Sequence, residues 1–141
     1  MASPQVFHLA QLLAALRPVL NPGVYVFARL APGAPPAALE PLATFREAEG
    51  LTVVAEEAAA LQAGLNVLFR AAWITLQVHS DLQAVGLTAA VAGALAEAGI
   101  ACNVLAATCH DHLFVPVEQA AQALQCLRAL QQRAMAPTGA G

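Results

Sequence analysis

The run Gly86-Leu87-Thr88-Ala89-Ala90-Val91-Ala92-Gly93-Ala94-Leu95-Ala96-Glu97-Ala98-Gly99-Ile100 constrains the fold more than any other stretch, because it spells a loop, a short amphipathic helix and the start of a strand. Gly86 lacks a Cβ, so it can open the loop with its backbone close to a neighbour. Leu87, Val91, Leu95 and Ala98 recur at helical spacing and give the segment one apolar stripe for packing on a sheet. Gly99 stops the helix in the manner of a left-handed cap, and the β-branched Ile100 and Val104 predict a strand over 100–107.

Around this run the chain divides into two halves of similar order. In the first, residues 7–16 read as a helix ending before Pro18, Asn21-Pro22-Gly23 as a turn, and 24–30 as a strand. A proline-rich loop over 31–41 follows, then a strand over 51–55 and a helix over 56–62. In the second, a helix over 86–98, strands over 100–107 and 110–117 and a helix over 118–133 repeat the order. A long strand-forming stretch, 65–79, lies between them. The repeated α-β-β-α order predicts two ferredoxin-like units that share or exchange edge strands. The boundaries expected are 1–70 and 71–135, with a Pro/Gly-rich tail, 136–141, expected to be disordered.

The strand over 72–79 followed by the Gly86 run resembles the first βαβ unit of an ACT domain, in which a Gly opens the helix and an Ala-Leu-Ala-Glu-x-Gly-Ile pattern ends it. Ile74 to Ser80, Ala84 to Ala89, Cys102-Asn103-Val104 and His110 to Pro116 are similar to a narrower group, small bacterial proteins of two ACT-like halves whose function is largely unassigned. The resemblance runs from Trp73 to Leu130, with Tyr25-Val26-Phe27 and Glu47 to Thr52 as the matching pieces before it. It implies an α/β (α+β sandwich) fold: tandem ferredoxin-like βαββαβ ACT-type units, their antiparallel sheets covered by helices on one face.

Strand periodicity sorts the side chains by face. Ile74, Leu76 and Val78 point one way and should meet helices; Trp73, Thr75, Gln77 and His79 point the other. The same rule puts Leu113 and Val115 under the helices and turns His110, His112 and Phe114 away, together with Asn103 and Leu105. A ferredoxin-like sheet sets its third strand between the first two, which makes His79 and His110 expected neighbours.

Three readings of this region follow. The ACT resemblance implies a small ligand, such as an amino acid, held between two ACT units by backbone N–H groups of the loop 80–86 and the helix N-terminus, where the dipole favours a carboxylate. Its site would comprise His79, Ser80, Asp81, Leu82, Val85, Gly86, Asn103, His110, Asp111 and His112, with Asp81 suited to an ammonium group. Two positions depart from serine-binding members of the family: Ala101 stands where they carry Asn, and Val85 replaces the usual Pro before Gly86. In the second reading His79, His110 and His112, with Asp111 or Cys109, bind a transition metal or serve an enzyme. In the third, Trp73, Phe114 and the histidines are buried anchors of a dimer interface.

Composition narrows the function classes. Charged residues make up 11% of the chain and net charge is -3, a sparse surface that favours a homodimer or higher homo-oligomer. The six basic residues, all arginine, are scattered, so phosphate-mediated nucleic-acid binding is not expected. No apolar run is long enough for a membrane span. The apolar stretch 9–16 is interrupted by Gln11 and follows no basic region, so a cytoplasmic protein is expected rather than a secreted one. Cys102, Cys109 and Cys126 lack metal or disulfide spacing and read as free, mostly buried thiols. No Walker, Rossmann or GxSxG pattern occurs, and no cofactor is expected. Glu47, Glu49, Glu56 and Glu57 read as an acidic patch at a solvated helix N-terminus.

Overall fold

The computed structural model describes residues 4–34, 38–78 and 82–136. Its organising element is the strand Val67–Leu76 (β5), whose ten residues alternate between two faces and pair along both edges. On one edge its first half pairs with Tyr25–Leu30 (β2), through Phe27↔Phe69 and Tyr25↔Ala71. On the same edge its second half pairs with Pro18–Leu20 (β1), through Leu20↔Ile74 and Pro18↔Leu76. The other edge receives Asp111–Pro116 (β7), from Ala71↔Pro116 to Leu76↔Asp111.

Two ferredoxin-like units, joined in one antiparallel sheet, follow from that sharing. The first comprises β2, Ala43–Glu47 (β3), Gly50–Glu56 (β4), the helix Glu57–Gln62 (α2) and the start of β5. The second comprises the end of β5, the helix Leu87–Glu97 (α3), Asn103–Ala106 (β6), β7 and the helix Ala120–Met135 (α4), with β1 filling its outer strand position. The sheet runs β3-β4-β2-β5-β7-β6, with β1 beside β5. As expected of a third strand, β7 lies between β5 and β6.

The first unit departs from the expected βαββαβ order. Between β2 and β3 the described residues form no helix, because the prolines of the 31–42 segment remove amide donors and clash with the preceding turn. The helix Pro4–Ala14 (α1) instead packs on the second unit, against α3 and α4. It ends two residues before the expected boundary, since Pro18 holds Arg17 away from helical dihedrals. The strands β1 and β3 were not among the expected elements. The β3–β4 turn is closed by Gly50, at φ 149°, where a Cβ would stand 2.2 Å from the Leu30 carbonyl oxygen.

Face assignment matches the alternation. Under α1, α3 and α4 lie Leu16, Ile74, Leu76, Leu113 and Val115 with Leu12, Leu87, Val91, Leu95 and Leu127 from the helices, all buried. On the same side α2 sets Ala60 near the buried Val26, Ala28, Val53 and Ala55. The opposite face, expected to be free for a ligand or a dimer, is filled from within the chain. Phe114, 1% exposed, packs with Val54 and Ala71 and is flanked by Tyr25, Phe27, Phe69 and Trp73. Edge-on ring contacts link Phe27 to Phe114 at 5.3 Å and Tyr25 to Trp73 at 5.1 Å. Phe114 is therefore an anchor between the two units and not between protomers. The sheet curls around this face until residues of its edge strands, Ala43 of β3 and Leu105 of β6, line one cavity of about 180 Å³.

Phe114→Ala should lower unfolding free energy by about 3–5 kcal/mol, because the cavity opens where both units meet. Urea unfolding followed by circular dichroism checks the value.

Candidate functional site

The expected site residues fall into two groups on opposite sides of the sheet. Leu82, Val85 and Gly86 lie in the loop between β5 and α3, while His79, Ser80 and Asp81 are outside the described residues. Gly86 is the N-cap residue of α3, with φ 101° in the left-handed region, and being a glycine it offers the helix no side-chain cap of its own. A Cβ at Gly86 would lie 2.8 Å from Leu9 Cδ2, so the glycine lets α1 press against this loop. The Gly86 carbonyl accepts the first helical bond, from Ala90 N–H at 2.9 Å. Leu82 and Val85 are 64% and 66% exposed, an unusual apolar rim for a helix N-terminus.

The start of β7 sits at the same end of the sheet. Asp111 pairs with Leu76 at the end of β5, and the His110 carbonyl accepts Ala107 N–H at 3.1 Å to close the β6–β7 hairpin. By alternation Asp111 shares the helix-covered face with Leu113 and Val115. Burial raises its carboxyl pKa, against the opposing pull of His112 and His110.

His112 turns to the aromatic face. Its Nδ1 accepts the Trp73 Nε1–H at 3.0 Å and lies 3.2 Å from Thr75 Oγ1. Thr75 Oγ1 in turn accepts from Asn21 Nδ2 at 2.9 Å, and Asn21 Nδ2 also donates to the Trp73 carbonyl at 3.2 Å. The indole N–H can only donate, so His112 Nδ1 must be unprotonated and its proton sits on Nε2. Burial lowers the His112 pKa, helped by His110 and opposed by Asp111. Asn103 and Leu105 of β6 stand opposite Phe114 and His112 on this face, both exposed to solvent.

The structure thus brings Leu82, Val85, Gly86, His110 and Asp111 to one end of the sheet, with His112 beside them and turned, like Asn103, to the aromatic face. Among the described residues no group of three His, Cys, Asp or Glu side chains is placed to hold a metal ion. The Cys102 thiol is pushed up to about 11 by burial, so it is not a thiolate nucleophile, and Cys126 Sγ donates to the Ala94 carbonyl at 3.3 Å. Cys109, expected to be buried with them, is exposed on the hairpin. The acidic patch is dispersed: Glu47 lies in β3 and accepts the Thr52 hydroxyl at 2.5 Å, while Glu57 is paired with Arg70 on β5. The sequence marks Asn21 only as turn chemistry and gives no signal for Leu42. Neither falls in a periodic segment that would have exposed its role.

Two family models described as ACT domain match the chain, over residues 6–72 and 68–129. A crystal structure of a Vibrio cholerae protein of unknown function, described as a possible transport protein, is 48% identical, covers 91% of this chain and 99% of its own, and superposes with a TM-score of 0.79. A protein from Agrobacterium tumefaciens is 19% identical over 82% of this chain and 89% of its own, with a TM-score of 0.67. The ligand-free regulatory subunit of aspartate kinase from Thermus thermophilus is 12% identical over 82% and 98%, with a TM-score of 0.60, and shares the fold. No curated protein matches the chain.

Gly86→Ala should cost about 1–3 kcal/mol, from a strained dihedral and the Leu9 contact together. The Leu9→Ala background should recover only the contact part, as a double-mutant cycle in urea will show. A depressed His112 pKa makes the unfolded chain bind more protons in mild acid. Stability should fall as pH drops below about 6.5 and level off once His112 is protonated in the folded state. In His112→Gln that part of the pH dependence should vanish.

Proposed function

The chain belongs to the ACT domain family, and we propose that it is a non-catalytic regulatory module that senses an amino acid between two copies of itself. One observation carries the reading. The N-cap residue of α3 is Gly86, which has no side chain to cap the helix, and the loop leading to it offers Leu82 and Val85 to solvent. The N–H groups of a helix's first turn and the helix dipole suit a carboxylate, and an exposed apolar rim suits a second protomer that closes over it.

In this reading the loop over 79–86 supplies the contacts, including those of His79, Ser80 and Asp81, with Asp81 as the partner of an ammonium group. His110 and Asp111, at the adjoining end of β7, border the site. Asn103 and His112 act on it only through β6 and β7. Ligand binding across two protomers favours one relative arrangement of them, which is how such a module conveys its state to a partner. No helix among the described residues is long and apolar enough to cross a membrane, in keeping with a cytoplasmic role. A second reading, a dimer that binds no ligand, draws on the same Leu82 and Val85 rim.

A thermal-shift screen of the twenty amino acids separates them. Sensing predicts a concentration-dependent rise in melting temperature for one or a few, about 2.7 kcal/mol of stabilisation at a hundredfold excess over Kd. Val85→Asp should abolish both that shift and dimerisation in sedimentation velocity while leaving the exposed position folded. A dimer with no shift for any amino acid at millimolar concentration supports the ligand-free reading instead.

A further inference from the structure

The curled face holds a second, independent feature: the cavity where the two edges of the sheet approach each other. Its floor is Trp73 and Phe114, and its walls are Leu42 and Ala43 of the β3 edge and Leu105 and Ala107 of the β6 edge. His112 contributes the polar side chain of this lining. The volume, about 180 Å³, has room for a single benzene-sized ring, and the hollow opens to solvent past the exposed Leu42, Leu105 and Ala107. Its apolar walls suit an aromatic ring better than a sugar.

The polar atom it offers has a fixed sense. Because Nδ1 is held by Trp73 and Thr75, His112 presents Nε2–H, a donor with no protein partner among the described residues. Next to the cavity, and sharing Leu42 and Trp73 with it, lies a hollow of about 310 Å³ bordered by Tyr25, Glu40 and Glu56. Two carboxylates at that border repel an anion.

We propose that this cavity binds a neutral, single-ring aromatic molecule that carries a hydroxyl or carbonyl acceptor for His112 Nε2–H. The ring packs against Trp73, Leu42 and Leu105, and the acceptor selects among rings of the same size. The site lies across the sheet from the α3 N-terminus, so it stands whether or not an amino acid binds there. A filled cavity would also bridge β3 and β6, tying the outer edges of the two units together.

Trp73 is the single tryptophan of the chain and lies in the floor, so its fluorescence reads the site directly. Titration of the full chain with benzyl alcohol should give a saturable change in Trp73 emission, with a Kd on the order of 1 mM. Benzoate, of the same size but anionic, should bind at least about tenfold more weakly. Ala107→Phe and Leu105→Phe, both at exposed positions, should each fill the mouth and abolish the response. Val85→Asp should retain it, which separates this proposal from the amino-acid reading. A change that only grows linearly with benzyl alcohol, or a saturable one that persists in both filling variants, overturns it.

Discussion

Everything in this molecule hangs on the two-sided pairing of β5. A strand that gives one edge to β2 and then β1, and the other to β7, is the outer strand of one unit and the first strand of the next. Neither unit has a complete sheet without it. The N-terminal segment strengthens the dependence, since β1 fills the second unit's sheet and α1 its helical layer, although both precede the first unit in the chain.

That arrangement also decides which face is available for which chemistry. The helix-covered face ends at the N-terminus of α3, held close to α1 by Gly86. On the other face the aromatic residues of the two units interlock, and the Asn21, Thr75, His112 and Trp73 network ties the β1–β2 turn, β5 and β7 together. A partly buried polar network of this kind fixes one arrangement, because a broken link leaves a donor or acceptor unsatisfied. His112 therefore works as a structural acceptor at Nδ1.

Much of this was legible from side-chain spacing alone. The period of two in β5 and β7 sorted Ile74, Leu76, Leu113 and Val115 from Trp73, Thr75, His112 and Phe114, since alternation depends only on the strand itself. The loop, helix and cap around Gly86 were legible for the same local reason. β1 escaped because three residues opened by a proline carry no period, and β3 because Thr44, Phe45, Arg46 and Glu47 are all exposed on an edge. What covers the Trp73 and Phe114 face depends on Tyr25, Phe27 and Phe69 arriving through long-range pairing, which no local pattern encodes. Sequence alternation separates Asp111 from His112, neighbours in the chain, onto opposite faces of the sheet.

Native-state hydrogen exchange of the β5 amides tests the dependence on the shared strand most directly. If the two units are one cooperative body, protected amides from both halves of Val67–Leu76 exchange with the same free energy, equal to that of global unfolding. If amides of the first half open at a distinctly lower free energy while those of the second stay protected, the units unfold separately and the account is contradicted.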